Sequence, residues 1–471
     1  MSTPRILSRS DHGISRRQIS PACLKVLYGL KEAGFQAHMV GGAVRDLLLG
    51  ESPKDFDVAT DATPEQTEKL FRRCRLIGRR FVIVHVRFGD ETIEVTTFRG
   101  QGEGADGTTR EIETSGRILR DNVFGSIEED AVRRDFTVNA LYYNIADFSV
   151  IDFVGGLEDL ERKQLRLIGE PATRYREDPV RMLRAARLKA KLGFTLAPGT
   201  HAPIGALRGE LREIPPARLF EEVLKLFLTG HAVRSLAELR ALDLFGVLFP
   251  ALEKLLRRDP SGLALINASL ANTDERFAAD KPVAAGFLIA ALGWPLLDRV
   301  QLDHSDPDVA HAAADAALGK LGEVVALPRR YTLQAREIWE LQGRMLRATA
   351  GRARRLLALP RLRAGYDFLL LRAVTEPALE VMAQRWTMAL QPDANLDQLF
   401  ARSATAAAAA GSGVAGGVAP EDVAAAFGES ERKPAKKRRR RRRRKPGDGG
   451  GGETGGAEGR GGDAPGPDAP G

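Results

Sequence analysis

The chain has 471 residues, of which 43% are hydrophobic and 28% are charged, and its formal net charge is +8. At about 100 to 200 residues per domain, this length predicts two to four domains and excludes a single compact globule. Subtracting a run of ten consecutive basic residues from the net charge leaves −2, so the rest of the chain is nearly neutral. The run consists of Lys436, Lys437, Arg438, Arg439, Arg440, Arg441, Arg442, Arg443, Arg444 and Lys445.

The basic run at 436–445 predicts an arm that binds RNA, because a cationic segment neutralises phosphates without reading bases. Attraction to a membrane surface and a nuclear-import-like signal are the alternatives. The Ala-, Gly- and Arg-rich segment 403–471, which contains the run, cannot bury a core. We therefore predict that this tail is disordered.

Composition also indicates the compartment. The two cysteines, Cys23 and Cys74, have no metal-ligand or disulfide pattern, which is typical of a reducing cytosol. Residues 1–18 lack the apolar core of a signal peptide. The longest apolar run, 282–297, is shorter than the roughly 20 residues that cross a bilayer. We expect a cytoplasmic protein without a transmembrane segment, in which 282–297 is a buried helix.

The first predicted elements follow a polar, flexible N-terminus at residues 1–20. A helix begins at Pro21, a residue that suits the first helical turn, and ends before Gly34. Residues 35–40 (FQAHMV) predict a strand, and residues 43–49 (AVRDLLL) predict a short helix. The strand and the short helix are therefore joined by a very tight turn.

Gly41 and Gly42 form the turn between that strand and that helix, and Gly50 closes the helix. Because glycine has no Cβ, the free amides of the turn can receive triphosphate oxygens. Arg45 and Lys54 supply cations nearby. A lone Gly-Gly turn is more often a turn without a ligand.

Asp55 and Asp57 follow the glycine turn in the segment DFDVAT, where Phe56, Val58 and Thr60 favour a strand. Alternation along a strand points both carboxylates to one side, where their charges repel. A hard divalent cation such as Mg²⁺, which takes oxygen ligands, offsets this repulsion. A lone Asp-x-Asp pattern usually lies in a solvated loop, but its position directly after the glycine turn favours a metal site.

A further acidic residue lies in a predicted hairpin formed by residues 81–88 and 92–98. Alternation in the second strand places Glu94 opposite the apolar side chains of that strand. Glu94 is therefore a candidate third carboxylate. An ordinary solvent-facing glutamate on a half-exposed strand is the alternative.

From about residue 170 the pattern becomes helical, and one predicted helix starts at Asp178 and Pro179. Its apolar stripe leaves Arg181, Arg184 and Arg187 outside. The ordinary explanation for such a pattern is a charged, solvated helix face. The predicted regions of the chain are a head at 21–165, a helical neck at 166–250, a helical body at 251–402 and the tail at 403–471.

The order strand, Gly-Gly turn, helix and Asp-x-Asp strand resembles the nucleotidyltransferase superfamily that includes DNA polymerase beta. The segments 133–144 (RRDFTVNALYYN), 152–160 (DFVGGLEDL) and 177–187 (EDPVRMLRAAR) resemble successive motifs of the bacterial class II tRNA nucleotidyltransferase and poly(A) polymerase family. This resemblance implies an α+β protein. Its polymerase-beta-like head, a mixed sheet with flanking helices, would be followed by all-α neck and body domains.

The resemblance also implies roles for residues. Asp55 and Asp57 would hold two Mg²⁺ ions, and Asp135, with Glu94, would complete the acidic cluster. In the family, one metal activates the RNA 3′-hydroxyl and the other neutralises the departing pyrophosphate. Asp178 and Arg181 would read the base, and the remaining nucleotide-binding candidates are Gly41, Gly42, Arg45, Arg133, Arg134, Arg184 and Arg187. For residues 133–135 a simple surface ion pair is the alternative.

Within the family, the segments 76–89 and 125–136 resemble those of poly(A) polymerases rather than CCA-adding enzymes. This implies template-independent addition of AMP from ATP to RNA 3′ ends of mRNA, small RNA and decay intermediates. RNA-decay proteins are expected partners and a monomer is the expected state. The alternatives are a CCA-adding tRNA nucleotidyltransferase and a non-catalytic RNA-binding module, against which the intact Asp-x-Asp pattern argues.

Overall fold

The computed structural model of the protein describes residues 3–78, 82–100, 111–112, 118–120, 123–302 and 307–401. Its N-terminal part is built on an eight-stranded sheet with the order β1-β10-β9-β2-β3-β6-β5-β4, in which β3 and β6 run parallel and the other neighbours antiparallel. The strands are β1 (Arg5–Leu7), β2 (Ala37–Val40), β3 (Asp57–Thr60), β4 (Cys74–Ile77), β5 (Ile83–Phe88), β6 (Glu91–Thr97), β7 (Glu111–Ile112), β8 (Ile118–Arg120), β9 (Leu141–Asn144), β10 (Val150–Asp152), β11 (Gln164–Leu165) and β12 (Thr195–Leu196).

Helices flank the sheet and then form the rest of the chain. Those of the head are α1 (Pro21–Glu32), α2 (Gly42–Leu48), α3 (Pro64–Leu70), α4 (Ile127–Arg133) and α5 (Gly156–Glu161). The next are α6 (Pro171–Glu177), α7 (Val180–Leu192), α8 (Pro198–His201), α9 (Ile204–Leu207), α10 (Pro216–Phe227), α11 (Ala232–Ala241) and α12 (Phe245–Leu248). The last are α13 (Pro250–Arg258), α14 (Ser261–Ala278), α15 (Ala285–Gly293), α16 (Arg299–Leu302), α17 (Pro307–Leu321), α18 (Arg329–Leu346), α19 (Ala350–Leu357), α20 (Leu362–Thr375), α21 (Glu380–Ala389) and α22 (Leu396–Leu399).

The mixed sheet followed by helices confirms the predicted α+β class. The predicted tail at 403–471, with its basic run, lies outside the described residues. The predicted buried helix is present as α15, whose residues are almost all buried. In the part of the chain that the structure describes, no helix combines the length and apolarity needed to span a bilayer.

The two faces of the sheet have different environments. Met39, Val58 and Val95 point to one face and join the main core, to which α1 also contributes. Val40, Ala59 and Tyr142 point to the other face and pack against Phe98 and α4. Because side chains alternate along a strand, Asp57 and Glu94 belong to the second face. The acidic residues therefore lie away from the main core.

The structure differs from the flexible N-terminus that we predicted for residues 1–20. Strand β1 pairs antiparallel with β10 at the edge of the sheet. Ile14 and Ile19 are buried in the main core. The polar composition of this segment did not predict these contacts. The segment is held at the sheet edge by two buried apolar residues and by backbone hydrogen bonds of β1.

The turn and hairpin predicted from the sequence are present. Gly41 is the N-cap of α2 with a φ of 79°, and Gly50 follows the end of the helix with the same φ. Strands β5 and β6 form a hairpin in which Phe88 pairs with Glu91, so the turn is Gly89 and Asp90. These features follow from local sequence because positive φ values strongly favour glycine.

The helical part is continuous with the head. The main core extends from Ile14 in the N-terminal segment to Leu371 in α20, and a second core joins α18 to α22. Helix α10 is amphipathic and buries Leu219, Phe220 and Val223. Helix α7 is buried on most sides and packs against α10 and α11.

Candidate active site

The acidic group is built by the parallel pair β3 and β6. Asp57 is the first residue of β3 and lies directly beside Glu94 in the register of the two strands. Burial raises the pKa of Asp57 to about 6, and the charges of Glu94 and Asp55 add to the shift. Three carboxylates are therefore close enough to repel one another.

Asp55 differs from its prediction in one respect. It is exposed and lies two residues before β3, in the connecting loop rather than in the strand. Its charge still contributes to the raised pKa of Asp57. The two aspartates thus lie together through the loop conformation and not through strand alternation alone.

The glycine turn lies against this acidic group. A Cβ placed on Gly41 would lie 3.6 Å from Oδ2 of Asp57. The turn and the carboxylate are therefore in direct contact range, although fifteen positions separate them in the chain. This is the arrangement that a metal-bound triphosphate needs, with backbone amides on one side and carboxylate oxygens on the other.

Arg45, which we predicted as a cation near the phosphates, lies beside the glycine turn, where its Nη2 would be 3.4 Å from a Cβ on Gly42. Its side chain is only 3% exposed. It donates from Nε and Nη2 to Oδ1 of Asp46, at 2.8 and 2.6 Å, and from Nη1 to Oδ1 of Asn139. Lys54, the other predicted cation, has its Nζ 3.9 Å from the ring centroid of Phe277. Both cations are held by other parts of the protein.

The arginines of the RRD segment are partly buried. Arg134 donates from Nε to the Tyr142 hydroxyl at 2.9 Å, and its Nη2 lies 2.9 Å from Oδ2 of Asp130. Arg133 donates to the carbonyl oxygen of Gly100. The surface ion pair considered as an alternative is therefore wrong for Arg134, whose partner Asp130 is buried. Arg134 still lies close enough to lower the pKa of Asp57.

Asp135 belongs to a different group of side chains from the one we predicted. Its Oδ2 is 2.6 Å from Nη2 of Arg184, and its Oδ1 accepts hydrogen bonds from the Phe136 amide and, at 3.5 Å, from Asn139. Burial alone would raise the pKa of Asp135, but Arg184 and these hydrogen bonds lower it to about 2. Asp135 therefore pairs with α7 and does not complete the acidic group.

The base-reading candidates lie at the start of α7. Oδ2 of Asp178 is 2.7 Å from Nη2 of Arg218 in α10. Arg181 is buried and donates from Nη1 to the Arg174 carbonyl at 2.7 Å and to Oε2 of Glu177 at 3.0 Å. A solvated helix face is therefore the wrong description of Arg181. Both candidates are therefore held in place by residues of the adjoining helices α6 and α10.

Arg187 lies further along α7 than Arg181, near Glu222 of α10. Burial lowers the pKa of Arg187, against the opposing charge of Glu222 in α10. Among the described residues, Nε of Arg187 and Oε2 of Glu222 are buried without a hydrogen-bond partner. Leaving buried polar atoms without hydrogen-bond partners costs stability.

The donor set fits a hard divalent cation. Asp55, Asp57 and Glu94 offer carboxylate oxygens, which Mg²⁺ prefers, and the pKa of Asp57 is raised first by burial and then by the charge of Glu94. Within the described ranges, no group of three or more His, Cys, Asp or Glu side chains converges on one point. The protein ligands would therefore be few, and water and phosphate oxygens would complete the shell, as is usual for Mg²⁺.

Comparison with known proteins identifies the family. A family model described as "Poly A polymerase head domain" matches residues 37–166, which include the glycine turn and all three carboxylates. Poly(A) polymerase I of Salmonella typhi is 50% identical over 393 residues, which are 81% of this chain and 84% of that protein. The chain belongs to the poly(A) polymerase I family. It is therefore a nucleotidyltransferase, as predicted.

Further matches cover the helical part of this poly(A) polymerase family member. Models described as "Probable RNA and SrmB- binding site of polymerase A" and "Polymerase A arginine-rich C-terminus" match residues 193–256 and 303–445. The CCA-adding enzyme of Bacillus subtilis is 42% identical over 211 residues, only 45% of this chain and 51% of that enzyme. The poly(A) polymerase branch is thus favoured over the CCA-adding branch, as the sequence predicted.

The fold is shared with CCA-adding enzymes. The crystal structure of the Bacillus stearothermophilus CCA-adding enzyme in complex with CTP aligns with a TM-score of 0.52 at 27% identity, covering 79% of this chain and 86% of that chain. This confirms the predicted α+β fold, a mixed-sheet head followed by a largely helical part.

Sequence reasoning missed residues that connect the site. Asn139 bonds both Arg45 and Asp135, and Lys191 at the end of α7 lies 2.7 Å from Asp46. Asn139 lies inside the recognised segment 133–144, which was the available signal. Nothing in the sequence near Lys191 distinguishes it from a solvated lysine.

Proposed function

We propose that the protein transfers AMP from ATP to the 3′ ends of RNA without a template, releasing pyrophosphate, with Mg²⁺ bound at Asp55 and Asp57. The observation that carries this proposal is the proximity of the Gly41 turn to the Asp57 carboxylate, which lies beside Glu94 of the neighbouring strand. A metal ion can bind triphosphate oxygens and carboxylate oxygens at the same time only if the backbone amides that hold the triphosphate lie close to the carboxylates.

Each group of residues has a role in this proposal. The amides of Gly41 and Gly42 bind the β- and γ-phosphates, because no Cβ blocks their approach. Asp55 and Asp57 hold the metal and Glu94 supports Asp57 from β6. When bound, Mg²⁺ increases the acidity of the RNA 3′-hydroxyl and neutralises the leaving pyrophosphate. The 3′-oxygen then forms its bond to the α-phosphorus as the bond to pyrophosphate breaks.

The base and the RNA are assigned to the helical part. Asp178 and Arg181 lie at the start of α7 and are proposed to read the adenine edge, with Arg184 and Arg187 further along the same helix. Arg133, Arg134 and Asp135 are proposed to support the ribose and phosphate side of the pocket. The RNA-binding segment suggested by the matched family models lies at 193–256, with the basic run 436–445 as an additional arm.

The cellular setting follows the same reasoning. RNA 3′ ends of mRNA, small RNA and decay intermediates are the proposed substrates, and tailing is proposed to promote their decay. The proposed state is a cytoplasmic monomer that meets RNA-decay proteins through its RNA substrates. The predicted domain limits, 21–165, 166–250 and 251–402, are the units in which these roles are proposed.

The test is a gel assay of a labelled RNA oligomer with each nucleoside triphosphate separately. A ladder with ATP alone supports the proposal, whereas limited addition with CTP to a tRNA lacking CCA supports the CCA-adding alternative. Asp57→Ala, and separately Asp55→Ala, should reduce extension by at least about a thousandfold, because a metal ligand stabilises the transition state. Normal extension by either variant would refute the metal assignment.

A further inference from the structure

Helix α7 is attached to the head at two points. At the first point, Nζ of Lys191 lies 2.7 Å from Oδ2 of Asp46, whose Oδ1 accepts from Arg45. At the second, Nη2 of Arg184 lies 2.6 Å from Oδ2 of Asp135. We call the six residues of these two attachments the clamp: Arg45, Asp46, Asp135, Asn139, Arg184 and Lys191.

The clamp is closed through its inner residues. Asn139 donates to Oδ1 of Asp135 at 3.5 Å and accepts from Nη1 of Arg45, which also donates to Asp46. Arg184 and Lys191 are seven residues apart on one helix, so the two attachments are about 10 Å apart along its axis. Two attachments at that separation restrict both the sliding and the rotation of α7 against the head.

The burial of the clamp suggests that it contributes more than a surface ion pair. The side chains of Asp46 and Asp135 are 10% and 11% exposed, whereas those of Lys191 and Arg184 are 41% and 40% exposed. Exposed ion pairs contribute little because water and salt screen them. Here each cation meets a carboxylate that is largely removed from water, so the interaction is screened less.

The clamp joins α2 and α7, the two helices that carry the proposed phosphate-binding and base-reading residues. Helix α2 starts at the glycine turn beside Asp57, and α7 starts beside Asp178 and contains Arg181. We infer that Asp46 and Lys191 are positioning residues, which hold the phosphate-binding turn of the head and the base-reading start of α7 at a fixed spacing. This inference rests on the proposed function and adds the coupling between its two binding elements.

Lys191→Met tests the inference, with Lys189→Met as its matched control. Lys189 lies on the same helix and is paired with Glu238 of α11, so its ion pair does not reach the head. In Lys191→Met we expect the KM for ATP to rise about three- to tenfold with kcat within about twofold, because binding and not chemistry is weakened. Lys191→Arg should restore the KM, and Lys189→Met should keep the wild-type value.

A second readout separates coupling from local damage. Inorganic pyrophosphate is a probe that reaches the glycine turn and the metal ligands without needing the neck. Its inhibition constant should be the same in wild type, Lys191→Met and Lys189→Met, measured on proteins with matched thermal unfolding curves. Equal loss of pyrophosphate and ATP affinity in Lys191→Met would overturn the inference, because the turn itself would then be disturbed.

Two results distinguish the inference from the function on which it rests. If the wild-type protein does not extend RNA with ATP, the proposed function fails. If the wild type extends RNA and the two lysine variants have the same KM for ATP, the proposed function stands and the clamp has no positioning role.

Discussion

At the scale of single residues, Asp57 is held in an unfavourable state by the fold. It is partly buried beside Glu94 and near Asp55, and its pKa is raised to about 6 by burial and by these charges. Unfolding would return it to an ordinary pKa of about 3.9. The free energy of unfolding of the metal-free protein therefore falls as the pH rises through the interval from about 4 to 6, where the unfolded chain ionises first.

Asp57→Asn should remove this cost. Above pH 6 we expect the metal-free variant to be more stable than wild type by about 1–3 kcal/mol, and the difference should vanish near pH 4, where wild-type Asp57 is protonated. Urea unfolding from pH 4 to 8 without divalent metal measures it. Added Mg²⁺ should stabilise wild type and have little effect on the variant. A stability difference that is constant across this pH range would contradict the assignment.

At the scale of elements, helix α2 has a glycine with a φ of 79° at each end. Gly41 has a ψ of −139° and faces Asp57, whereas a Cβ on Gly50 would meet nothing within 4 Å. The two positions thus share backbone strain but differ in their surroundings. They form a natural pair for separating the stability of α2 from its role in binding.

Gly41→Ala and Gly50→Ala should therefore have different effects. Both should destabilise the protein, by about 1–3 kcal/mol, because an L-residue is strained at these φ values. Gly41→Ala alone should raise the KM for ATP, because its Cβ enters the space between the turn and the Asp57 carboxylate. Steady-state kinetics and thermal unfolding on both variants measure this. A comparable rise in KM for Gly50→Ala would show that binding merely follows stability.

The comparison of α2 with the sequence shows where prediction succeeds and where it ends. Gly41, Gly50 and the alternation that separates Glu94 from its apolar neighbours are local signals, and the structure confirms them. The place of Arg45 in the first turn after Gly41 and Gly42 is also a local signal, but its hydrogen-bond partner Asn139 is 94 residues away. Which cation is free and which is buried depends on such long-range pairs, so the local pattern alone did not show how Arg45 is held.

At the scale of the whole molecule, one core continues from the head into the helices. Ile14, Leu183, Phe220 and Leu371 all belong to it. The sequence predicted the change from sheet to helix near residue 170, because periodicity is local. The pairing of Lys191 with Asp46 across 145 residues could not be predicted, because one lysine at the end of a helix resembles any solvated lysine.

The basic run 436–445 and the nearly neutral remainder of the chain should make separable contributions to RNA binding. Replacing the ten basic residues with an uncharged segment of equal length should weaken RNA binding at low salt. It should also make the slope of log K against log salt concentration shallower, by about 0.7 for each RNA phosphate that the variant no longer neutralises. Removal of residues 446–471, which retains the run, is the matched control. Because Asp57 and the glycine turn are unaffected, kcat at saturating RNA should stay at the wild-type value in both proteins. An unchanged salt slope in the variant without the ten basic residues would show that the run does not bind the RNA.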